Sequence, residues 1–139
     1  MNVIIRNTLA VVAGLFLGSV VNMGLVNVGP HLVPLPAGAN VTTMEGLRAS
    51  MPLFSPIHFL FPFLAHALGT LAGAFVAAKL AVSQHMKLAL GIGVLFLAGG
   101  ISAVSMLGGP LWFNVCDLLF AYIPMGYLGG RLAAKKAMS

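Results

Sequence analysis

The sequence is typical of an all-α integral membrane protein: a bundle of four transmembrane helices with short hairpin loops and one longer outer loop that carries a short amphipathic helix. Of its 139 residues, 60% are hydrophobic and only 6% are charged, whereas an ordinary soluble domain is about 25% charged. Four separate stretches have the length of about 20 apolar residues that a helix needs to cross a bilayer. Both observations argue against a soluble globular domain, and the high apolar content argues against disorder.

The four predicted spans belong to one domain, residues 1–139. They cover residues 3–26, 56–82, 87–107 and 111–134. Only residues 83–86 and 108–110 separate the last three spans. The second of these loops consists of glycine and proline, which favour turns. Spans two to four are therefore predicted to form tight antiparallel hairpins. The first span is long for a signal peptide and lacks a typical cleavage site after it, so we expect a permanent helix.

Lysine and arginine are unevenly distributed between the two predicted sides of the membrane. Six lie on the side of the termini and of the loop after span two: Arg6, Lys79, Lys87, Arg131, Lys135 and Lys136. The opposite side has Arg48, which is offset by Glu45. Because positive residues are retained in the cytoplasm, we expect both termini in the cytoplasm and the chain in a bacterial inner membrane. The sequence has no basic stripe interleaved with aromatic residues, so nucleic acid is not an expected partner.

The one long connection is the outer loop, residues 27–55. Three prolines in it predict an extended backbone: Pro30, Pro34 and Pro36. Thr42 and Glu45 have the spacing of a capping box, which predicts that a short helix begins there. One side of that helix is apolar, with Met44, Leu47 and Met51. Two interpretations stay open: an amphipathic helix on the outer membrane surface, and a lid that packs on the bundle.

Small residues recur at every fourth position in three of the spans. The rows are Ala10, Gly14 and Gly18 in span one, Ala65, Gly69, Gly73 and Ala77 in span two, and Gly126, Gly130 and Ala134 in span four. Such a row lies on one helix face and allows close approach of a second backbone, which is how membrane helices associate. We expect these rows to pack within the chain. A row left over would serve a homo-oligomer or a larger membrane complex.

Polar residues inside the predicted spans concentrate toward the outer side. An Asp at the centre of a membrane helix costs about 2.5–3.5 kcal/mol, so its presence is informative. Five residues are candidates for a ligand or proton site: Asp117, His66, His58, Asn114 and Asn22. With a rise of about 1.5 Å per residue, Asp117 lies roughly 9 Å and His66 roughly 15 Å below the outer end. Ser102 and Ser105 in span three have a similar depth, which predicts a polar cavity that opens outward and is closed toward the cytoplasm.

These residues allow a functional and a structural interpretation. Asp117 and His66 form either an ion or proton site, or a polar clasp between spans two and four. A metal site is not expected, because His58 and His66 are eight residues apart and cannot chelate one ion from a single helix. No cofactor is expected either. Cys116 is expected to be a small buried hydrophobic residue, and no pattern of catalytic residues is present in the sequence.

The resulting hypothesis is a small transporter or channel, without enzymatic activity, that has an outward-facing polar site in the bundle. The alternative is a non-catalytic accessory or scaffold subunit of a membrane complex, associated through its glycine rows. A metal- or haem-binding membrane enzyme is a third, weaker hypothesis. The partners that the sequence predicts are the lipid bilayer and, through a row of small residues left over, a second copy of the chain or a larger membrane complex.

Overall fold

A computed structural model describes residues 1–138, with side chains through residue 135. This part of the chain is 82% helical and contains no strand. Its α-helices, in chain order, are α1 (Val3–Leu32), α2 (Met44–Ser50), α3 (Leu60–Leu80), α4 (His85–Leu107), α5 (Leu111–Phe120) and α6 (Ile123–Met138). Two short 3₁₀ turns, Met51–Leu53 and Pro56–Phe59, lie between α2 and α3.

Among the described residues, four helical segments are long and apolar enough to cross a membrane. They are Val3–Leu32, Pro56–Leu80, His85–Leu107 and Leu111–Lys135. The prediction of an all-helical chain with four such segments is therefore confirmed. The N-terminal end of α1 lies beside the loop between α3 and α4, because the Asn7 side chain bonds Ser83 Oγ (2.9 Å) and the backbone N–H of Val82 (3.0 Å).

The first helix is longer than predicted, and the expectation for Pro30 was wrong. Pro30 lies within the last turn of α1, which continues to Leu32 and ends with a bond from Val33 N–H to Gly29 O (2.8 Å). A proline in a helix removes one backbone donor, yet packing on α3 stabilises this turn. A methyl group on Gly29 would lie only 2.8 Å from Cβ of Phe61.

Helices α1 and α3 contact each other through their glycine rows. A methyl group on Gly14 would lie 2.5 Å from the carbonyl oxygen of Gly73, and one on Gly73 would lie 2.6 Å from that of Gly14. Gly18 and Gly69 face each other in the same way, at 2.7 and 2.9 Å. Backbone touches backbone along this seam, so dispersion contacts are made by main-chain atoms as well as side chains.

The glycines of α6 pack against α4 and α3. Gly126 faces the carbonyl oxygen of Ala89, and Gly130 faces Met86 and Ala89. Gly129, which does not belong to the predicted row of small residues at every fourth position, faces the carbonyl oxygen of Leu71 on α3. The core between these helices is made largely of small residues: Ala74, Ala77, Ala78, Ala89, Ile92 and Ala133.

The fourth predicted span is broken between α5 and α6, at Ala121 and Tyr122. Ala121 N–H still bonds Asp117 O (3.0 Å), and a new helix begins with Gly126 N–H bonding Tyr122 O (2.8 Å). Pro124 explains the break, because proline has no N–H to donate and its ring excludes the carbonyl four residues earlier. As a result, the Tyr122 side chain points in a direction that it would not have in a continuous helix.

The segment of residues 33–55 is a lid over one end of the bundle. Leu47 and Met51 face a cavity beneath it, while Met44 is exposed. The buried Ser50 hydroxyl accepts the backbone N–H of Asn40 (2.8 Å), which closes the lid on itself. Of the two interpretations of this segment, these contacts favour the lid that packs on the bundle over an amphipathic helix on the outer membrane surface.

The predicted capping box at the start of α2 was wrong by one residue. Thr43 is the N-cap, and its hydroxyl accepts the N–H of Gly46 (2.9 Å). Thr42 instead bonds the side chain of Asn40, through both its N–H and its hydroxyl. Asn40 forms a local turn that competes for the threonine, and the helix therefore begins one residue later.

Candidate functional site

A cavity of about 350 Å³ lies beneath the lid, at the end of the bundle predicted to face outward. Its walls come from the last turns of α1 and α4, the first turns of α3 and α5, and the lid. Most of these walls are apolar and include four phenylalanines: Phe54, Phe59, Phe61 and Phe113. The polar residues in the lining are Asn27, His58, His66, Asn114 and Asp117.

The predicted polar cavity is therefore mainly apolar, and three residues expected around it lie elsewhere. Ser102 and Ser105 are exposed on the outside of α4, where the Ser105 hydroxyl donates to Ile101 O of its own helix (3.1 Å). A serine whose hydroxyl is bonded within its own helix needs no polar neighbour. Its predicted depth in the membrane was therefore not evidence of a polar cavity. Asn22 is also absent from the cavity lining.

His66 and Asp117 meet at the inner end of the cavity. Nδ1 of His66, on α3, lies 2.8 Å from Oδ1 and 2.9 Å from Oδ2 of Asp117, on α5. The Asp117 side chain is 4% exposed, whereas that of His66 is 27% exposed. Since a carboxylate only accepts hydrogen bonds, this geometry fits an Nδ1–H that donates to Asp117. The second nitrogen, Nε2, has no hydrogen-bond partner within the described chain.

Tyr122 is the member of this group that the sequence analysis missed. Its hydroxyl donates to Oδ2 of Asp117 (3.2 Å), and its ring stacks on that of His66 with centroids 5.7 Å apart. In a continuous helix, the side chain five residues after Asp117 would point away from it. The break before Pro124 brings Tyr122 and Asp117 together. Pro124 was therefore the sequence feature that could have indicated this contact.

Gly100 on α4 makes room for the tyrosine. A methyl group on Gly100 would lie 2.5 Å from the Tyr122 hydroxyl oxygen. Thr70, one turn below His66, is buried and donates to the carbonyl of His66 (2.7 Å), so it is satisfied within its own helix. The polar group at the inner end of the cavity is therefore His66, Asp117 and Tyr122.

His58 lines the cavity but does not join this group. The backbone N–H of Ser55 donates to its Nδ1 (3.0 Å), so the other nitrogen carries the proton and donates to Pro34 O (3.1 Å). Both ring nitrogens are used to hold the lid to the start of α3. This arrangement gives His58 a structural role.

The two asparagines of the predicted site are also separate from the pair. Asn114 lines the cavity, and its amide nitrogen donates to Gly108 O (3.0 Å), where Gly108 and Gly109 turn with positive φ. Asn22 packs against Gly69 on the α1–α3 seam. Its buried Oδ1 has no hydrogen-bond partner among the described residues.

The described residues contain no group of three or more His, Cys, Asp or Glu that could hold a metal ion. Cys116 is exposed, so the expectation that it is buried was wrong. It precedes Asp117 on α5, and adjacent positions of a helix point about 100° apart. Because α5 buries Asp117, its neighbour lies on the outside of the bundle.

Comparisons with protein-family models, with curated proteins and with solved structures find no match to this chain.

Proposed function

We propose that this protein is an integral membrane carrier for a small molecule, without enzymatic activity, whose cavity faces away from the cytoplasm. The observation that carries the proposal is the cavity that ends on a buried carboxylate paired with a partly exposed histidine. Pockets for small molecules combine mostly apolar walls with a few placed polar groups. An ionisable residue within a membrane helix is by default a candidate for the transport pathway.

The histidine distinguishes this site from a purely structural clasp. A clasp needs only the contact between two side chains, and both can then be fully buried. Here Asp117 is buried, but His66 keeps 27% of its side chain exposed and contributes to the cavity wall. The pair can also hold or release a proton, which is what a carrier needs to couple transport to a proton gradient.

The rest of the bundle favours a carrier over a channel. Beyond the pair, the helices are filled by the cluster around Ala67, Ala121 and Tyr122 and then by the alanine core. The α1–α3 seam is closed by backbone contact. A passage to the other end therefore requires the helices to move, as they do in alternating access.

Uptake into proteoliposomes tests the proposal. Vesicles with the wild-type protein, with Asp117→Asn or with Ser105→Ala are given a small-molecule extract of bacterial cells and an imposed proton gradient of either direction. Mass spectrometry then identifies the compounds retained. We expect at least one compound to accumulate with the wild type and with Ser105→Ala, and not with Asp117→Asn. Retention equal to that of empty vesicles in both gradient directions would contradict the proposal.

A further inference from the structure

Each polar side chain of the cavity lining has at least one hydrogen-bond partner within the protein. The amide nitrogens of Asn27 and Asn114 donate to the carbonyls of Met23 and Gly108. Both nitrogens of His58 are bonded to the lid. Among the described residues, three side-chain atoms of the lining have no partner: Nε2 of His66 and the Oδ1 atoms of Asn27 and Asn114. Of the three, Nε2 belongs to the ring that Asp117 holds by its opposite edge.

The charge of the cavity restricts the class of ligand. No lysine or arginine contributes to its lining, and Asp117 is the acidic residue there. With His66 neutral, the neighbours of Asp117 are two neutral donors, the Nδ1–H of His66 and the hydroxyl of Tyr122. A buried carboxylate without a cationic partner is costly. A ligand that brings a positive charge would compensate it, whereas an anion would lose its hydration and be repelled.

The walls add a second preference. Phe54, Phe59, Phe61 and Phe113 surround the space above the pair. Aromatic faces attract cations and pack against apolar bodies. The volume of about 350 Å³ lies near the lower end of the range for small-molecule pockets, about 300–1,000 Å³. An apolar or aromatic body of modest size fits this space.

We propose that the cavity binds an organic amine as its ammonium cation, with an apolar or aromatic body against the phenylalanines and an N–H that donates to Nε2 of His66. This inference rests on the proposed carrier function and names its substrate class. His66 contacts the ligand, Asp117 supplies the negative charge behind it, and Tyr122 positions the carboxylate.

The same geometry makes the ligand and a proton mutually exclusive. A proton on Nε2 removes the lone pair that accepts the ammonium and neutralises the pair. The titratable groups that face His66 are Asp117 and Tyr122, with His58 across the cavity, and α1 and α4 add none to the lining. Binding of the amine therefore weakens as the pH is lowered, and entry of the cation releases a proton from protonated protein.

Calorimetry with three probes of one shape tests the inference. The probes are 2-naphthylmethylamine, 2-naphthylmethanol and 2-naphthoate, titrated into the wild-type protein in lipid nanodiscs, with empty nanodiscs subtracted. We expect the ammonium to bind more tightly than the alcohol, and the carboxylate not to bind. Titrations in buffers of different ionisation enthalpy are expected to show proton release on binding of the ammonium, increasing as the pH is lowered.

Matched variants locate the contact. The amide of His66→Asn occupies the place of Nδ1 and keeps a donor to Asp117, but it lacks Nε2. A hydrogen bond with a charged partner contributes about 1.5–3 kcal/mol, so His66→Asn and Asp117→Asn are each expected to weaken ammonium binding about tenfold or more. Ser105→Ala should bind as the wild type does, and circular dichroism checks that each variant is folded.

Three results would overturn the inference: no binding of any probe, binding of the carboxylate as tight as that of the ammonium, or unchanged binding in His66→Asn. The carrier proposal does not depend on them, because the uptake experiment detects accumulated compounds of any charge. Failure of uptake together with specific binding of the ammonium would instead contradict the carrier proposal alone.

Discussion

At the scale of single residues, Asp117 is held by side chains from two other parts of the bundle. His66 approaches both carboxylate oxygens from α3, and Tyr122 bonds one of them from the junction of α5 and α6. Hydrogen bonds to charged groups are stronger than neutral ones, although polar contacts between membrane helices average only about 0.6 kcal/mol. The group therefore stabilises the fold modestly and orients the histidine.

Tyr122→Phe removes one of these bonds and keeps the ring. We expect a loss of about 1 kcal/mol in the free energy of unfolding, in line with measured polar contacts in membranes. Tyr127→Phe is the matched control, because Tyr127 is exposed on α6. Unfolding in mixed detergent micelles measures both variants. Equal stability of the two would show that the bond to Asp117 contributes nothing.

Two adjacent glycines of α4 provide a sharper comparison. A methyl group on Gly100 would lie 2.5 Å from the Tyr122 hydroxyl, whereas nothing lies within 4 Å of one on Gly99. Gly100→Ala is expected to displace the tyrosine and to cost about 1–3 kcal/mol, the usual cost of overpacking. Gly99→Ala should be neutral or slightly stabilising, since alanine favours helix. Thermal unfolding followed by circular dichroism distinguishes the two. Equal melting temperatures would contradict the described position of Tyr122.

At the scale of elements, α3 is the central helix of the bundle. Its glycine row contacts the backbone of α1, and another face packs against α4 and α6 through alanines. The rows of small residues, which we expected to pack within the chain, make contacts inside it. This internal use weakens the argument that the glycine rows serve a partner.

The α1–α3 seam should be intolerant of even one methyl group. In Gly14→Ala the new methyl meets the backbone carbonyl of Gly73, which has no side-chain freedom with which to move away. We expect a loss of about 1–3 kcal/mol or more in stability. Gly24→Ala, on the same helix with nothing within 4 Å, is the control. Unfolding in detergent compares them, and a tolerant Gly14 would mean that the helices are farther apart than described.

At the scale of the whole molecule, the two ends of the bundle differ. One end carries the lid and the cavity, and the other carries the start of α1 beside the α3–α4 loop. Basic residues are concentrated toward the second end, which predicts that it lies in the cytoplasm. In the proposed carrier, this orientation determines the side of the membrane from which the substrate enters.

Labelling of single cysteines tests this orientation. In a Cys116→Ala background, a cysteine is introduced at Ala37 in the lid or at Gln84 in the α3–α4 loop; both positions are exposed. In intact bacterial cells, a membrane-impermeant maleimide is expected to label the variant at 37 and not the variant at 84. Permeabilised cells control for reactivity. The reverse pattern would place the cavity on the cytoplasmic side.

Assembly into a homo-oligomer or with another membrane protein stays a prediction. Native mass spectrometry of protein released gently from its membrane determines the stoichiometry. A complex with an unrelated protein would favour the accessory-subunit hypothesis.

The sequence by itself was sufficient to predict the helical fold class, the number of apolar helices and most of their ends. These features depend on local properties: the length of an apolar run, and glycine or proline at its limits. Local signals were less reliable where packing competes with them. Pro30 stays helical because α1 packs on α3, and the start of α2 moved by one residue because Asn40 engages Thr42.

Only the tertiary structure decided the composition of the site. The approach of His66 to Asp117 depends on how α3 and α5 are rotated about their axes. The depth of each residue along its helix, which the sequence predicts, does not determine that rotation. The contact of Tyr122 depends on the break before Pro124, which changes the direction of one side chain relative to the next turn. The apolar walls of the cavity arise because phenylalanines from the lid, α3 and α5 converge there. Residue order determines which face a side chain occupies within one helix, but packing between helices determines which faces meet.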